Sequence, residues 1–223
     1  MKRSEINAAL RFAIEMLETW RWSLPVWGTW TVADFAANPE ASQYLRSRQL
    51  GWDVTDFGSG RFADQGLVLF CLRNGILGMK GERSYAEKLL FIQEGQLTPA
   101  HLHKAKQEDI INRAGGDLVV EFCAADEMGR TTNADVTVLV DGLARHLRTW
   151  EPLVLHPGQS VTIPTGLYHR FYGAAGKGPV LVGEVSEVND DRTDNYFLEP
   201  IGRFAEIEED EPPLRPLWNE GSV

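Results

Sequence analysis

From Ser4 to Trp20 the apolar residues Ile6, Leu10, Ala13, Ile14 and Leu17 return at intervals of three and four, the spacing of one helix face. Ser4 is positioned to cap that helix. Pro25 and Gly28 break the pattern in WRWSLPVWGTW, and a second helix is expected between Pro39 and Gln49, stopped by Gly51. Beyond Gly51 the texture changes. Short runs rich in Val, Ile, Leu, Phe and Tyr (LVLFCLRNG, LVVEFCAAD, VTVLVDG, PVLVGEVSEVND) alternate with Gly, Asp and Asn, and Asp141-Gly142 is a strong two-residue hairpin signal. Many short strands without intervening helices predict an antiparallel sandwich or barrel. The expected organisation is a helical extension over 1–50, a β-barrel over 51–204 and an irregular acidic tail over 205–223.

The 223 residues suffice for one substantial core, and 43% hydrophobic with 24% charged residues excludes wholesale disorder. The net charge of −10, with no Lys/Arg cluster, argues against nucleic acid or an anionic membrane as partner. No apolar run reaches the roughly 20 residues of a bilayer span, and no secretory segment opens the chain, so a cytoplasmic protein is expected. Cys71 and Cys123 each fall in an apolar run and read as buried, reduced thiols. Four of the seven tryptophans crowd into residues 20–30, a pattern of core or subunit interface.

Chemistry concentrates around the histidines. His101 and His103 form His-x-His at a strand end, and a period of two projects both imidazoles from one face. The segment KAKQ allows a tight return to Glu108, which opens the next strand. Two imidazole nitrogens and a carboxylate oxygen suit a borderline divalent metal. Alone, such a fragment is a common surface pattern.

Its setting is more specific. Gly95 is followed, after five residues, by His101-x-His103, then after four by Glu108 and after six by Gly115. Gly158 is followed, after five residues, by Pro164-x-Gly166 and after two by His169. These spacings resemble the two motifs of the cupin superfamily, although Gly173 stands where an asparagine is expected. The resemblance implies a cupin-type antiparallel β-barrel in which His101, His103, Glu108 and His169 hold one metal. His146 and His156 match no motif position and read as ordinary surface or strand residues.

HLHKAKQEDIINRAGGDLVVEF, the closing stretch GEVSEVNDDRTDNYF and the helical N-terminus with LPVW together resemble the D-lyxose isomerase family. That resemblance implies a homodimeric aldose–ketose isomerase acting on unphosphorylated sugars. It implies conversion of D-lyxose to D-xylulose, and of D-mannose to D-fructose, through a metal-stabilised enediolate. The implied cofactor is a divalent cation, foremost Mn2+, with Zn2+, Co2+ or Fe2+ as alternatives. Moving a proton between C1 and C2 needs a carboxylate beside that edge. On the predicted strand Val180–Val188, Glu184 shares a face with Val182 and Ser186 and is the first candidate base. Asp194 is the second, as base or as a hydroxyl-binding group. Lys106, in the turn before Glu108, is the candidate for charge stabilisation or proton delivery, with Lys88 and Arg203 as further basic candidates. Two other readings fit the same four ligands. A cupin dioxygenase calls for an apolar, aromatic cavity, and a non-catalytic sugar-binding cupin for one lacking a carboxylate near the metal.

Overall fold

The computed structural model describes residues 1–220. Three helices come first: α1 (Arg3–Thr19), α2 (Val32–Ala37) and α3 (Pro39–Ser47), with a 3-10 turn at Val26–Thr29. The strands of the first sheet are β1 (Gly51–Thr55), β2 (Leu67–Arg73), β3 (Tyr85–Ile92), β5 (Glu108–Gly115), β7 (Val136–Val140), β8 (Leu143–Leu147), β10 (Ser160–Ile163) and β12 (Val180–Glu187). Those of the second are β4 (Thr98–Leu102), β6 (Leu118–Ala124), β9 (Leu153–Leu155), β11 (Leu167–Gly173) and β13 (Tyr196–Phe197). Pairing is antiparallel, in the orders β1-β2-β3-β12-β5-β10-β7-β8 and β13-β4-β11-β6-β9. The expected mainly-β architecture with N-terminal helices is therefore present. No helix among the described residues is long and apolar enough to cross a membrane.

Two apolar cores account for the sequence texture. Leu69, Leu90, Ile110 and Val182 of the first sheet join Val120, Phe122 and Phe171 of the second in the space between sheets. On the outer side of the first sheet, Val68, Phe70, Phe91 and Leu181 meet Ile6, Leu10, Ala13 and Leu17 of α1. The middle strands β2, β3 and β12 are thus covered on both faces, which is why they read as continuous apolar runs. By contrast β7 alternates buried and exposed positions, as a strand with one wet face should. Its hairpin to β8 turns at Asp141-Gly142, both at positive φ (51° and 81°), as anticipated. Trp20, Trp22, Trp27 and Trp52 serve the outer core: Trp27 stacks on Phe70 at 5.0 Å, and Trp52 donates Nε1–H to the Gly28 carbonyl at 2.9 Å.

Helix ends depart from the sequence expectation. The N-cap of α1 is Lys2, not Ser4, and the orphan N–H groups are met by the tail. Arg3 N–H donates to the Glu208 carbonyl (2.8 Å), and Ser4 N–H and Oγ donate to the two oxygens of Asp210 (2.8 and 2.6 Å). The acidic tail is anchored there because its carboxylates meet the positive end of a helix. At the other end, Gly51 is not the stop of α3. Gln49 takes the left-handed conformation (φ 57°), donating to Arg46 O while Leu50 donates to Leu45 O, a Schellman closure. We expect Asp210→Ala to destabilise the start of α1 by removing both acceptors of Ser4, and a lowered calorimetric Tm would show it.

Candidate active site

The interior cavity lies where β4 and β11 of the second sheet face β3, β5 and β12 of the first. Antiparallel pairing sets His101 directly across from His169, so their rings approach to 4.3 Å between centroids. His103, two residues on, projects from the same side, 5.1 Å from His101 and 5.5 Å from His169. The 104–107 return then brings Glu108, the first residue of β5, back beside them. Its Oε1 lies 3.1 Å from His169 Nε2 and its Oε2 3.6 Å from His103 Nε2.

The hydrogen bonds of the rings decide their tautomers. Each Nδ1 faces a backbone carbonyl: His101 with Pro99 (2.7 Å), His103 with Asp194 (3.1 Å) and His169 with Leu167 (3.0 Å). A carbonyl only accepts, so Nδ1 carries the proton in all three and Nε2 presents a lone pair. One ligand atom from each imidazole falls within 4.8 Å of the others. His169 Nε2 is buried without a hydrogen-bond partner, although a carboxylate oxygen stands beside it. Two acceptors in contact inside a protein are relieved by a proton or a metal cation between them. The residues present therefore fit a divalent metal, as neutral imidazoles and an anionic carboxylate should. Burial, then the neighbouring His169, pushes His101 down to about 3. Burial and then the Lys106 charge hold His103 well below its usual 6.5. For Glu108, burial works upward, but Lys106 and the imidazoles outweigh it and hold the carboxyl well below its ordinary range.

Facing the histidines, buried charges of alternating sign run away from Glu108. Lys106 Nζ, 2% exposed, lies 2.7 Å from both Glu108 Oε2 and Glu184 Oε1. Glu184 Oε1 is also 3.2 Å from Lys88 Nζ, because Lys88 and Glu184 are direct partners across β3 and β12. Lys88 reaches Asp191 Oδ1 (2.9 Å), and Arg203 bridges Asp191 and Asp53 at 3.1 and 2.8 Å. Glu184 faces inward with Val182 and Ser186, the side assigned from alternation, while Val185 on the opposite side is exposed. Lys106 is no solvated turn lysine. Burial alone would lower it, but Glu108 and Glu184 raise it above its ordinary value. Burial likewise opposes the charge of Lys88, and Asp191 and Glu184 overcome it.

Asp194 takes a different place. Its Oδ1 accepts from the backbone N–H of Lys104 (3.1 Å) and Ala105 (3.0 Å), its carbonyl holds His103, and its Oδ2 is 3.7 Å from His103 Nδ1. It fastens the loop that carries His103 and Lys106. His146 is exposed, and His156 is an exposed partner of Asp117 at 2.7 Å, both outside the cluster. Sequence reasoning missed Asp191, Asp53 and Thr98; only Asp191 carried a signal, lying in the singled-out closing stretch. The Gly173 departure has a steric origin: a Cβ there would lie 2.9 Å from the Gln93 carbonyl oxygen. Gly115 at φ 93° is equally constrained, since its Cβ would fall 2.2 Å from the Pro179 carbonyl.

Comparison with known proteins agrees with this construction. The solved L-ribose isomerase of Cellulomonas parahominis, described with L-ribose, superposes with a TM-score of 0.62 at 17% identity, covering 93% of this chain and 98% of that one. That likeness identifies the cupin fold. The D-lyxose/D-mannose isomerase of Escherichia coli O157:H7 is 45% identical over 222 residues, 99% of this chain and 98% of that one. Its namesake in Serratia proteamaculans is 50% identical over 173 residues, 77% of this chain and 76% of that one. A sequence model of the D-lyxose isomerase family matches residues 1–221, and with it the chain belongs to the D-lyxose isomerase family, as a sugar isomerase of the aldose–ketose class.

Proposed function

We propose that the enzyme interconverts D-lyxose and D-xylulose, with D-mannose and D-fructose as a second pair, using unphosphorylated open-chain sugars. The observation that carries this reading is Glu184, buried beside the three-histidine cluster and held between two lysines. His101, His103, His169 and Glu108 are the proposed ligands of one divalent cation, foremost Mn2+. When bound, it supplies Lewis-acid polarisation of the sugar carbonyl.

The remaining tasks fall to the chain. Glu184 removes the proton from the carbon beside the carbonyl and returns it to the neighbouring carbon, which exchanges aldose and ketose. Lys106 touches Glu184 and faces the same space, so its ammonium stabilises negative charge on the sugar oxygens, gives a proton to the former carbonyl oxygen and recovers one from the neighbouring hydroxyl. Asp194, second in rank from the sequence, is better read as a positioning residue for His103 and Lys106. In the cavity lining the charges of Lys88 and Arg203 are balanced by Asp191, and that of Lys106 by Glu108 and Glu184, which supports an uncharged sugar over a phosphorylated one. The cavity is not the apolar pocket of the dioxygenase reading: Phe57, Phe171 and Phe197 line part of it, but Lys88, Lys106, Glu184, Asp191 and Arg203 also line it. A homodimer in the cytoplasm completes the proposal, consistent with the buried unpaired thiols of Cys71 and Cys123.

The test is incubation of Mn2+-reconstituted protein with a panel of free aldoses, with ketose formation followed by chromatography. D-xylulose should form from D-lyxose, with one equivalent of metal per chain by elemental analysis. Both should be lost in His103→Ala and on exhaustive chelation. No ketose from any aldose, or activity indifferent to chelation, would overturn the reading.

A further inference from the structure

One polar residue of the cavity has no place in the scheme above. Thr98 opens β4 and is 2% exposed, yet its Oγ1 has no hydrogen-bond partner. It lies three residues before His101, and in a regular strand an odd separation would send the two side chains to opposite faces. The pairing with β11 shows why it does not. His101 pairs with His169 and Thr98 with Phe171, so three steps of β4 are matched to two of β11. This is a β-bulge at Pro99 and Ala100, and proline, lacking an N–H, is tolerated at such a position. The extra residue returns Thr98 to the face of His101, and both line the cavity.

A second unmatched donor lines the same cavity. Arg203 spends one terminal nitrogen on Asp53 and Asp191, while the other, Nη1, is buried without an acceptor. Buried polar groups without partners are uncommon in native proteins, because each forfeits its hydration. Here a hydroxyl that both donates and accepts and a guanidinium N–H that donates stand in one cavity. Because the bulge matches this stretch of β4 to two regular strand steps, Thr98 lies about 7 Å along the strand from His101. That separation is comparable with an open-chain pentose extended between its end oxygens.

We propose that Thr98 Oγ1 and Arg203 Nη1 form a second anchoring point, which binds hydroxyls at the end of the sugar remote from the histidine cluster. This inference rests on the sugar-isomerase reading and adds to it the residues that judge the far end of the chain. It makes the bulge a specificity device, since without it Thr98 would face away from the cavity.

Thr98→Val tests it, being nearly isosteric and removing only the hydroxyl. With no internal bond to lose, the variant should melt at or above the wild-type temperature. The probe is D-arabinitol, the reduced and unreactive form of D-lyxose, titrated calorimetrically into Mn2+-loaded protein. Thr98→Val should bind it about 3- to 10-fold more weakly, the loss of one hydrogen bond. KM for D-lyxose should rise by a similar factor with a smaller change in kcat. The penalty should vanish with either 4-deoxy- or 5-deoxy-D-lyxose, whichever lacks the anchored hydroxyl. Arg203→Lys keeps a charge for Asp53 and Asp191 but loses Nη1, and should show the same KM-weighted loss. Unchanged polyol affinity in Thr98→Val, or a penalty that persists with both deoxy sugars, would overturn the anchor and leave the isomerase reading intact. Wild-type protein that neither binds the polyol nor forms ketose would overturn both.

Discussion

Glu184→Gln should lower kcat by about 10²- to 10⁴-fold, the usual contribution of a positioned general base. The amide has the shape of the carboxylate and can still accept from Lys106, but it takes up no proton at neutral pH. Folding should survive, because neither lysine is stranded: Lys106 keeps Glu108 at 2.7 Å and Lys88 keeps Asp191 at 2.9 Å. Metal content should equal wild type, since Glu184 lies outside the proposed ligand set. KM for D-lyxose should change little, placing the loss in the transition state. An independent readout comes from solvent: wild-type turnover in D2O should place deuterium in the product, and the variant should lose this exchange in step with kcat. Near-wild-type turnover would exclude Glu184 as the base. Asp194→Asn is the natural comparator. If Asp194 positions the His103 loop, its substitution should weaken metal retention more than it changes kcat of the fully loaded enzyme.

What was legible in the sequence followed from short-range rules. His-x-His shares a face because a strand has a period of two, and the glycine spacings around it mark tight turns that only particular folds need at those positions. Glu184 could be assigned to the face of Val182 for the same reason, and the pairing of β12 with β3 and β5 turned that face inward. Three features were hidden. Thr98 reaches the cavity only through a bulge, whose extra residue inverts the alternation on which a sequence reading depends. Lys88, Asp191, Arg203 and Asp53 assemble from four separate segments, and nothing local to any of them announces a partner more than a hundred residues away. The helix boundaries were set by tertiary contacts: Asp210 of the tail meets the start of α1, and Gln49 rather than a glycine closes α3. Each miss lies where a long-range contact overrides a local preference.

Lys106→Met should strongly destabilise the metal-free protein. Lys106 is the shared cation of two buried carboxylates, with Glu108 and Glu184 each 2.7 Å away and none of the three side chains more than 8% exposed. Methionine fills the volume but removes the charge. Glu184 retains Lys88, whereas Glu108 is left beside neutral imidazoles, and a buried charge that loses its partner costs about 3–5 kcal/mol. For a chain of this size the melting temperature should fall by roughly 6–20 °C. The pH dependence should shift in a defined direction. In the wild type, Glu108 is held below its unfolded value, so its contribution is present above about pH 4.5 and is lost only as pH falls toward its depressed folded value. Without Lys106 the upward push of burial loses its largest opponent, and acid unfolding of the metal-free variant should begin at higher pH. Saturating Mn2+ should restore part of the lost stability, because a cation at the histidine cluster replaces the missing positive charge beside Glu108. It should not restore turnover, because Lys106 is also the proposed proton donor to the sugar oxygens. Calorimetry across pH, with and without metal, separates these two roles of one side chain. A variant as stable as wild type without metal would show that Glu108 is compensated by something other than Lys106.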